Sequence, residues 1–258
     1  MKLSVVTVCR NSAATIGHTL ESFFLQDHPD KEILVIDGGS SDDTLKIVDS
    51  FAGENLVLTS GKDRGIYDAM NKGLLAFGGE AVGFLNADDR FHDTGALSAI
   101  AAALDRADIV FGDLDVVKDH ERGEVIRRWR STPWRKGSFR RGWMPPHPTF
   151  YCRRRVVDQV GLFDLGYRVA ADYDFMLRAL ELGDFTVAQT SHILVDMASG
   201  GASSSGVRAR VHHNLEALAS RRRWLGAGLV DYALVAKPLG KVSQFLAPSP
   251  RQSSGGRA

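Results

Sequence analysis

The sequence is poor in cysteine: Cys9 and Cys152 are the two in 258 residues, far apart and without a C-x-x-C neighbour. Neither a disulfide framework nor zinc-ligand spacing follows from them, so a reduced, cytosolic chain held by its own apolar core is expected. Also missing is any uncharged apolar run of about 18 residues, the length at which a membrane-spanning helix is read. The apolar run at residues 3–8 is broken at Cys9-Arg10-Asn11. It is too short for the apolar region of a signal peptide and reads as a buried strand. Internal repeats are absent. An excess of one charge is lacking too: 32 Lys plus Arg against 31 Asp plus Glu give +1, which excludes a globally basic nucleic-acid binder. What remains is an ordinary globular composition, 44% apolar and 24% charged, in a chain long enough to bury most of its unfolded surface.

The charge is unevenly spread. Residues 127–155 carry ten Lys/Arg and no acid, and residues 207–258 carry nine bases against two acids, which leaves the rest of the chain strongly acidic. Acids commonly hold cations and bases commonly meet phosphate, so the two parts are expected to do different work.

The first 110 or so residues alternate strand and helix. Apolar runs at 3–8, 33–36, 56–58, 81–85 and 109–112 alternate with helical spacing at 13–25, from 45 onward, at 67–77 and at 95–104. Continuous apolar runs mark parallel strands covered on both faces, and the pattern is that of a doubly wound α/β protein whose ligands settle at the carboxyl ends of the strands. From 113 to 150 a strand or hairpin gives way to an irregular basic segment with Trp129, Trp134, Trp143 and prolines around His147. A helix with a strong apolar face is expected over 172–182 and a basic helical stretch beyond 206. The small polar residues from 248 to the end predict disorder.

Three segments concentrate polar chemistry at strand ends. Asp37 follows an apolar strand and opens Asp37-Gly38-Gly39-Ser40-Ser41-Asp42-Asp43-Thr44. Its carboxylate either caps a strand-to-helix turn or accepts hydrogen bonds from a ribose or base. Leu85-Asn86-Ala87-Asp88-Asp89 delivers two adjacent carboxylates to the same crevice. These repel unless solvent or a cation neutralises them, and hard oxygen ligands suit Mg²⁺ or Mn²⁺ bridging to phosphate. Between them, Lys62-Asp63-Arg64-Gly65 leads into a helix whose N-terminal dipole can meet an anion.

Together these segments resemble the nucleotide-binding half of family 2 glycosyltransferases, which have the GT-A fold. The matching pieces are Ser4-Val5-Val6-Thr7-Val8 with Asn11, the Val35 to Thr44 segment, Asp63-Arg64-Gly65-Ile66-Tyr67-Asp68-Ala69-Met70-Asn71-Lys72-Gly73, and Phe84-Leu85-Asn86-Ala87-Asp88-Asp89. The likeness is strongest to bacterial enzymes building exopolysaccharide, lipopolysaccharide or glycolipid, the colanic acid glycosyltransferases among them. Farther along, Pro146-His147-Pro148-Thr149-Phe150-Tyr151 and Val160-Gly161-Leu162-Phe163-Asp164 resemble the acceptor-side segment, and Ala171-Asp172-Tyr173-Asp174-Phe175-Met176-Leu177-Arg178 the stretch carrying the catalytic base.

The resemblance implies a GT-A domain over 1–206, with a nucleotide-sugar half (1–112) and an acceptor half (113–206), then a basic amphipathic helical appendage (207–247) and the disordered tail. It implies inverting transfer of a sugar from a nucleotide diphosphate, most simply a UDP-sugar, to an acceptor hydroxyl. Val8, Asn11, Asp37, Gly38, Asp63, Arg64 and Asn71 would form the nucleotide site, Asp88 or Asp89 would hold Mg²⁺ or Mn²⁺, and Asp172 would be the base, with Asp174 its competitor. Asn86, His147, Asp174 and Arg178 are further sugar- or acceptor-binding candidates. The family's metal motif usually begins with Asp, and Asn86 stands there instead. His192 either completes the metal shell or is structural.

The basic segment at 127–155 interleaves arginine with aromatic residues, as single-stranded nucleic-acid sites do, but an acidic body repels a phosphate backbone. A membrane surface bearing a lipid-diphosphate-linked acceptor fits better, making the protein peripheral at the inner face of the cell membrane. The stretch from Arg221 to Leu246 reads either as an interfacial helix or as one packed on the domain. Two other functions share parts of the pattern. One is a non-catalytic nucleotide-sugar-binding partner; the other is a metal-dependent nucleotidyltransferase, which leaves the Asp172 segment unexplained.

Overall fold

A computed structural model describes residues 1–118, 123–200, 206–226 and 228 of the chain. In chain order the elements are β1 (Leu3–Cys9), α1 (Ile16–Phe24), β2 (Lys31–Asp37), α2 (Thr44–Ser50), β3 (Leu56–Ser60), α3 (Ile66–Ala76), β4 (Ala81–Phe84), β5 (Arg90–Phe91), α4 (Ala96–Leu104), β6 (Ile109–Val117), β7 (Val125–Trp129), β8 (Tyr151–Arg153), α5 (Arg154–Val160), α6 (Ala171–Leu177), β9 (Val187–Ala198) and α7 (Gly206–Leu225). The expected alternation over the first 112 residues is present.

One sheet runs through the molecule in the order β3-β2-β1-β4-β8-β6-β9-β5, with β7 added to β6 as a hairpin. β1 pairs in parallel with β2 on one side and β4 on the other, and β3 continues the parallel run. Every residue of β1 and β2 is buried, which is why both read as unbroken runs. Helix α3 lies hard on the sheet: a Cβ at Gly73 would sit 2.4 Å from a Val6 methyl. In the second half, β8 is antiparallel to β4 and β6, and β6 runs parallel to β9. At three residues, β8 is too short to show periodicity. The helix expected over 172–182 is α6 followed by a π turn at Arg178–Leu182.

The C-terminal helix is not a separate appendage over its described length. Arg221, where the sequence allows either an interfacial helix or one packed on the domain, is 2% exposed and donates to the Tyr173 hydroxyl at 2.9 Å. Ala217, Leu218 and Ser220 are buried with it. Glu216 of α7 accepts from the backbone N–H groups of Arg168 (3.0 Å), Val169 (2.9 Å) and Ala170 (3.0 Å), just before α6 begins. Those N–H groups would otherwise have no partner, and an acid there also complements the helix dipole. Asp174 of α6, fully buried, accepts from Ser220 Oγ (2.8 Å), Trp224 Nε1 (2.9 Å) and Arg178 Nε (2.8 Å). The remainder of the expected helix, toward Leu246, and the tail at 248–258 lie outside the described residues.

The basic segment at 127–155 also divides. Arg153 donates to the carbonyls of Leu104 and Ala107 at the end of α4, and Arg154 to those of Phe77 and Gly79 at the end of α3. Cations there satisfy helix-terminal carbonyls and complement the dipole, so these two serve the fold. Arg155 pairs with the buried Asp108, which also accepts from Thr186 N (2.8 Å) and Oγ1 (2.6 Å). Burial alone would raise the Asp108 pKa; Arg155 and the Thr186 donors outweigh it and bring it down to about 2.

Removing one partner of a buried, hydrogen-bonded ion pair leaves the other uncompensated. Asp174→Ala is therefore expected to cost about 3–5 kcal/mol of stability, read as a fall in both Tm and the denaturation midpoint; a loss below about 1 kcal/mol would refute the assignment. For Asp108 the folded pKa lies below the unfolded value, so its contribution is complete above about pH 4 and fades as pH falls toward 2. Asp108→Asn should lower the unfolding free energy by about 2 kcal/mol at pH 7. In urea titrations at descending pH that deficit should close; a constant deficit would count against the ion pair.

Candidate active site

The parallel strands β2, β1 and β4 bring the Arg10-Asn11, Asp37-Gly38 and 85–89 segments to one edge of the sheet. Asn11 adopts φ 52°, and its Oδ1 accepts from Ser41 N at 2.9 Å, which fastens the exit of β1 to the turn after β2. Asp37 is 0% exposed and surrounded by donors: Gly39 N (3.1 Å), Ser40 N (3.1 Å), Ser40 Oγ (2.5 Å) and Ser60 Oγ (2.6 Å). Burial would raise its pKa, and these hydrogen bonds hold it below the ordinary range. Asp37 thus builds the turn, and each of its oxygens already accepts from donors of that turn or of β3 at the place where a ribose or base is expected. Val8 is likewise a core residue.

Asp63 comes nearest to that expected role. A Cβ at Gly38 would lie 2.4 Å from Asp63 Oδ2, so the bare backbone of Gly38 is what lets this carboxylate rest on the end of β2. The half-buried Asp63 also accepts from Gly65 N at 2.9 Å. Arg64 next to it is exposed, its guanidinium held by Asp68 at 2.9 Å. Asn71 does not join them. Its amide exchanges two hydrogen bonds with the backbone of Phe163, at 3.0 and 2.9 Å, tying α3 to the segment after α5.

At the end of β4 the two acids differ. Asp89 is 2% exposed, with Oδ1 accepting from Ala198 N and Oδ2 from Asn86 Nδ2, each at 3.0 Å. Burial and the adjacent Asp88 charge push its pKa up to about 8. Its oxygens hold the 86–89 turn to β9 and to Asn86. Asp88 is half-buried, and Asn86 Oδ1 is a buried acceptor with no donor. One carboxylate and one unsatisfied amide oxygen are hard donors of the kind Mg²⁺ or Mn²⁺ takes, with water and phosphate completing the shell. Among the described residues no group of three or more His, Cys, Asp or Glu is placed to hold a metal. His192 lies 3.0 Å from Asp93 and is accounted for by that pairing.

Asp172 stands in the first turn of α6, half-buried, and its Oδ1 accepts from the Tyr67 hydroxyl at 3.2 Å. Burial and the Asp172 charge push the Tyr67 phenol above its ordinary range, so it stays a donor. Beneath lies an aromatic floor. Phe163 packs on Tyr67, Phe84, His147 and Phe175, and His147 stacks on Phe84 at 5.2 Å. Burial lowers the His147 pKa against the pull of Asp172, which favours a neutral ring in that floor.

Asp174 and Arg178 are not at the mouth. Arg178 joins the buried Asp174 to the carbonyls of Val160 and Leu162 and holds the floor's supporting loop. Tyr67 is the site residue that sequence reasoning overlooked. It was visible only as a hydroxyl in the first turn of a helix preceded by a glycine, within a segment matched for other reasons.

Comparison with known proteins identifies the family and the fold. The sequence profile of Glycosyl transferase family 2 matches residues 4–160. A PGL/p-HBAD biosynthesis glycosyltransferase of Mycobacterium bovis (strain BCG / Pasteur 1173P2) is 32% identical over 206 residues, 74% of each chain. Among solved structures, S. aureus TarS 1-349 in complex with UDP-GlcNAc superposes with a TM-score of 0.68 at 21% identity, over 95% of this chain and 73% of the other. A mannosyltransferase of Pyrobaculum calidifontis, in complex with GDP-Man and Mn2+, gives 0.66 at 19% identity, over 95% and 69%. A parallel sheet that gathers polar turns at one edge, and a sequence match spanning most of that sheet, lead to one conclusion: the chain belongs to glycosyltransferase family 2 and has the GT-A fold.

Proposed function

We propose that the chain transfers a sugar, with inversion, from a nucleotide diphosphate donor to a hydroxyl of a glycan or lipid-linked acceptor, in the synthesis of bacterial surface polysaccharide or glycolipid. The observation that carries this reading is the bridge made by α3. Its leading loop holds Asp63 and Arg64 at the strand edge, and its first turn holds Tyr67 on Asp172. A donor lying on the former is thereby faced by a carboxylate from the other half. The UDP-GlcNAc bound to S. aureus TarS supports a UDP-sugar as donor.

In this mechanism Asp63 takes the nucleoside and Arg64 reaches toward the diphosphate. Mg²⁺ or Mn²⁺, held by Asp88 with the Asn86 amide oxygen, would neutralise the charge of the leaving diphosphate. Asp172 accepts the proton of the acceptor hydroxyl as its oxygen bonds to the anomeric carbon. The bond from that carbon to the diphosphate breaks on the opposite face, which inverts the centre. Tyr67 fixes Oδ1 of Asp172, so Oδ2 is the oxygen offered to the incoming proton. A neutral His147 leaves the carboxylate charge uncompensated.

The test is release of nucleoside diphosphate from a panel of nucleotide sugars with Mn²⁺ and a glycan acceptor. Asp172→Asn should lower kcat by a hundred- to ten-thousand-fold, roughly the worth of general-base catalysis, with Tm and nucleotide Kd unchanged. Normal turnover would remove Asp172 from the role. Tyr67→Phe should cost roughly tenfold in kcat, the worth of one hydrogen bond to a charged group, at constant donor KM; a change confined to donor KM would place Tyr67 in the nucleotide site instead.

A further inference from the structure

Four exposed cations of the basic segment are displayed together. Arg135, Lys136, Arg140 and Arg141 are exposed, lie within seven residues that contain no acid, and form no ion pair with a described residue. Their loop is firmly seated. Glu181, buried beneath it, accepts from Gly137 N at 2.7 Å and Phe139 N at 3.1 Å, and the buried Phe139 packs edge-on against Tyr173 and Trp143. A charged loop fixed in this way presents a constant pattern and loses little chain freedom when it meets a partner.

The short 3₁₀ turn Phe139–Arg141 packs against α7, whose outward side continues the theme. Val211 is 50% and Leu215 55% exposed, and Ala219 is exposed one turn on; at a spacing of four these make one apolar stripe. Exposed Arg210 and Arg222 lie on the same helix. Glu216 is the only acid in the sequence of α7, and it is turned inward against residues 168–170. The outward side of α7 is therefore apolar and basic in its own residues, with Asp164 paired to the exposed Arg223. Leu182, which follows Glu181, is exposed as well. A face that mixes a few aliphatic side chains with several cations suits the boundary of an anionic bilayer: basic side chains meet headgroups while aliphatic ones enter the acyl edge.

We propose that the 135–141 loop and the Val211/Leu215/Ala219 stripe of α7 form a docking surface for an anionic lipid leaflet. Phe139 of that loop packs on Tyr173, the neighbour of Asp172 in α6, so the docking surface is joined to the same half of the protein as the proposed base. This deepens the acceptor-side reading above and rests on it for its purpose, while the binding itself is measured without turnover.

The experiment floats the full chain with phosphatidylcholine vesicles that either contain or lack phosphatidylglycerol. Binding is expected on the anionic vesicles only, falling steeply with salt. Arg135→Gln/Lys136→Gln/Arg140→Gln/Arg141→Gln should reduce it at least tenfold and Val211→Ser/Leu215→Ser several-fold, with Tm and turnover on a soluble acceptor unchanged. The proposal is overturned if the parent ignores anionic vesicles, or if both variants bind as the parent does, which would assign binding elsewhere in the chain. Displacement by inorganic phosphate at constant ionic strength would mark a simple anion site and overturn it too. So would a dimer, seen by sedimentation, that Val211→Ser/Leu215→Ser disperses while vesicle binding persists; the stripe would then belong to a second copy. Failure here leaves nucleoside diphosphate release intact, and failure of the transfer reading leaves vesicle binding intact.

Discussion

Everything at the mouth of this enzyme follows from the parallel pairing of β1 with β2 and β4. Parallel strands end on the same side, and their chains must turn there before crossing back as helices. With Cys9 opposite Asp37 and Val6 opposite Phe84, the turns after three strands open within one crevice. Such a crevice is crowded with backbone groups that have left the sheet and need new partners. The first demand on its polar side chains is to supply them, and chemistry uses what is left.

That demand explains how the acids divide. Asp37 and Asp89 lie on the sheet edge where ligand-binding carboxylates are sought, yet both face inward and are satisfied by turn donors or by β9. A buried carboxylate is tolerable only when its oxygens are paired, so each fixes the loop around it. Asp174 does the same one helical position beyond Tyr173. Through Ser220, Trp224 and Arg178 it binds α6 to α7 and to the 160–162 segment. Asp172 faces Tyr67 because its near neighbour is anchored the other way. The local acidity of the sequence therefore overstates the charge the site presents.

The strand and helix alternation of the first 112 residues was legible because strands buried on both faces leave unbroken apolar runs and helices on the sheet leave a 3.6-residue stripe. β8 and α5 were not, since three residues show no period and the arginines of α5 are recruited elsewhere, Arg154 by the end of α3 and Arg155 by Asp108. The polar segments that carry Asp63, Asp88 and Asp172 were legible as candidates too. Side-chain direction was not. Whether Asp37 looks out or in depends on Ser60, and Asp89 on Ala198, partners distant in sequence that only the folded sheet brings near. The contacts of Asn71 and Arg178 were hidden for the same reason: their partners belong to the 160–163 segment, whose path no local pattern reveals. Arg221 shows the reverse case, a cation that composition places in water and an aromatic hydroxyl takes inside.

Gly73 carries a consequence of another kind. The missing side chain lets α3 settle against Val6 of β1, nearer than any residue with a Cβ permits. Tyr67 and the Asp63-Arg64 loop ride on the same helix, so its height above the sheet fixes the altitude of both at once. The seating of that helix is then a single mechanical dimension, set by one glycine against β1. A side chain at that one position would lift Tyr67 and the Asp63-Arg64 loop away from the sheet together, with neither segment altered.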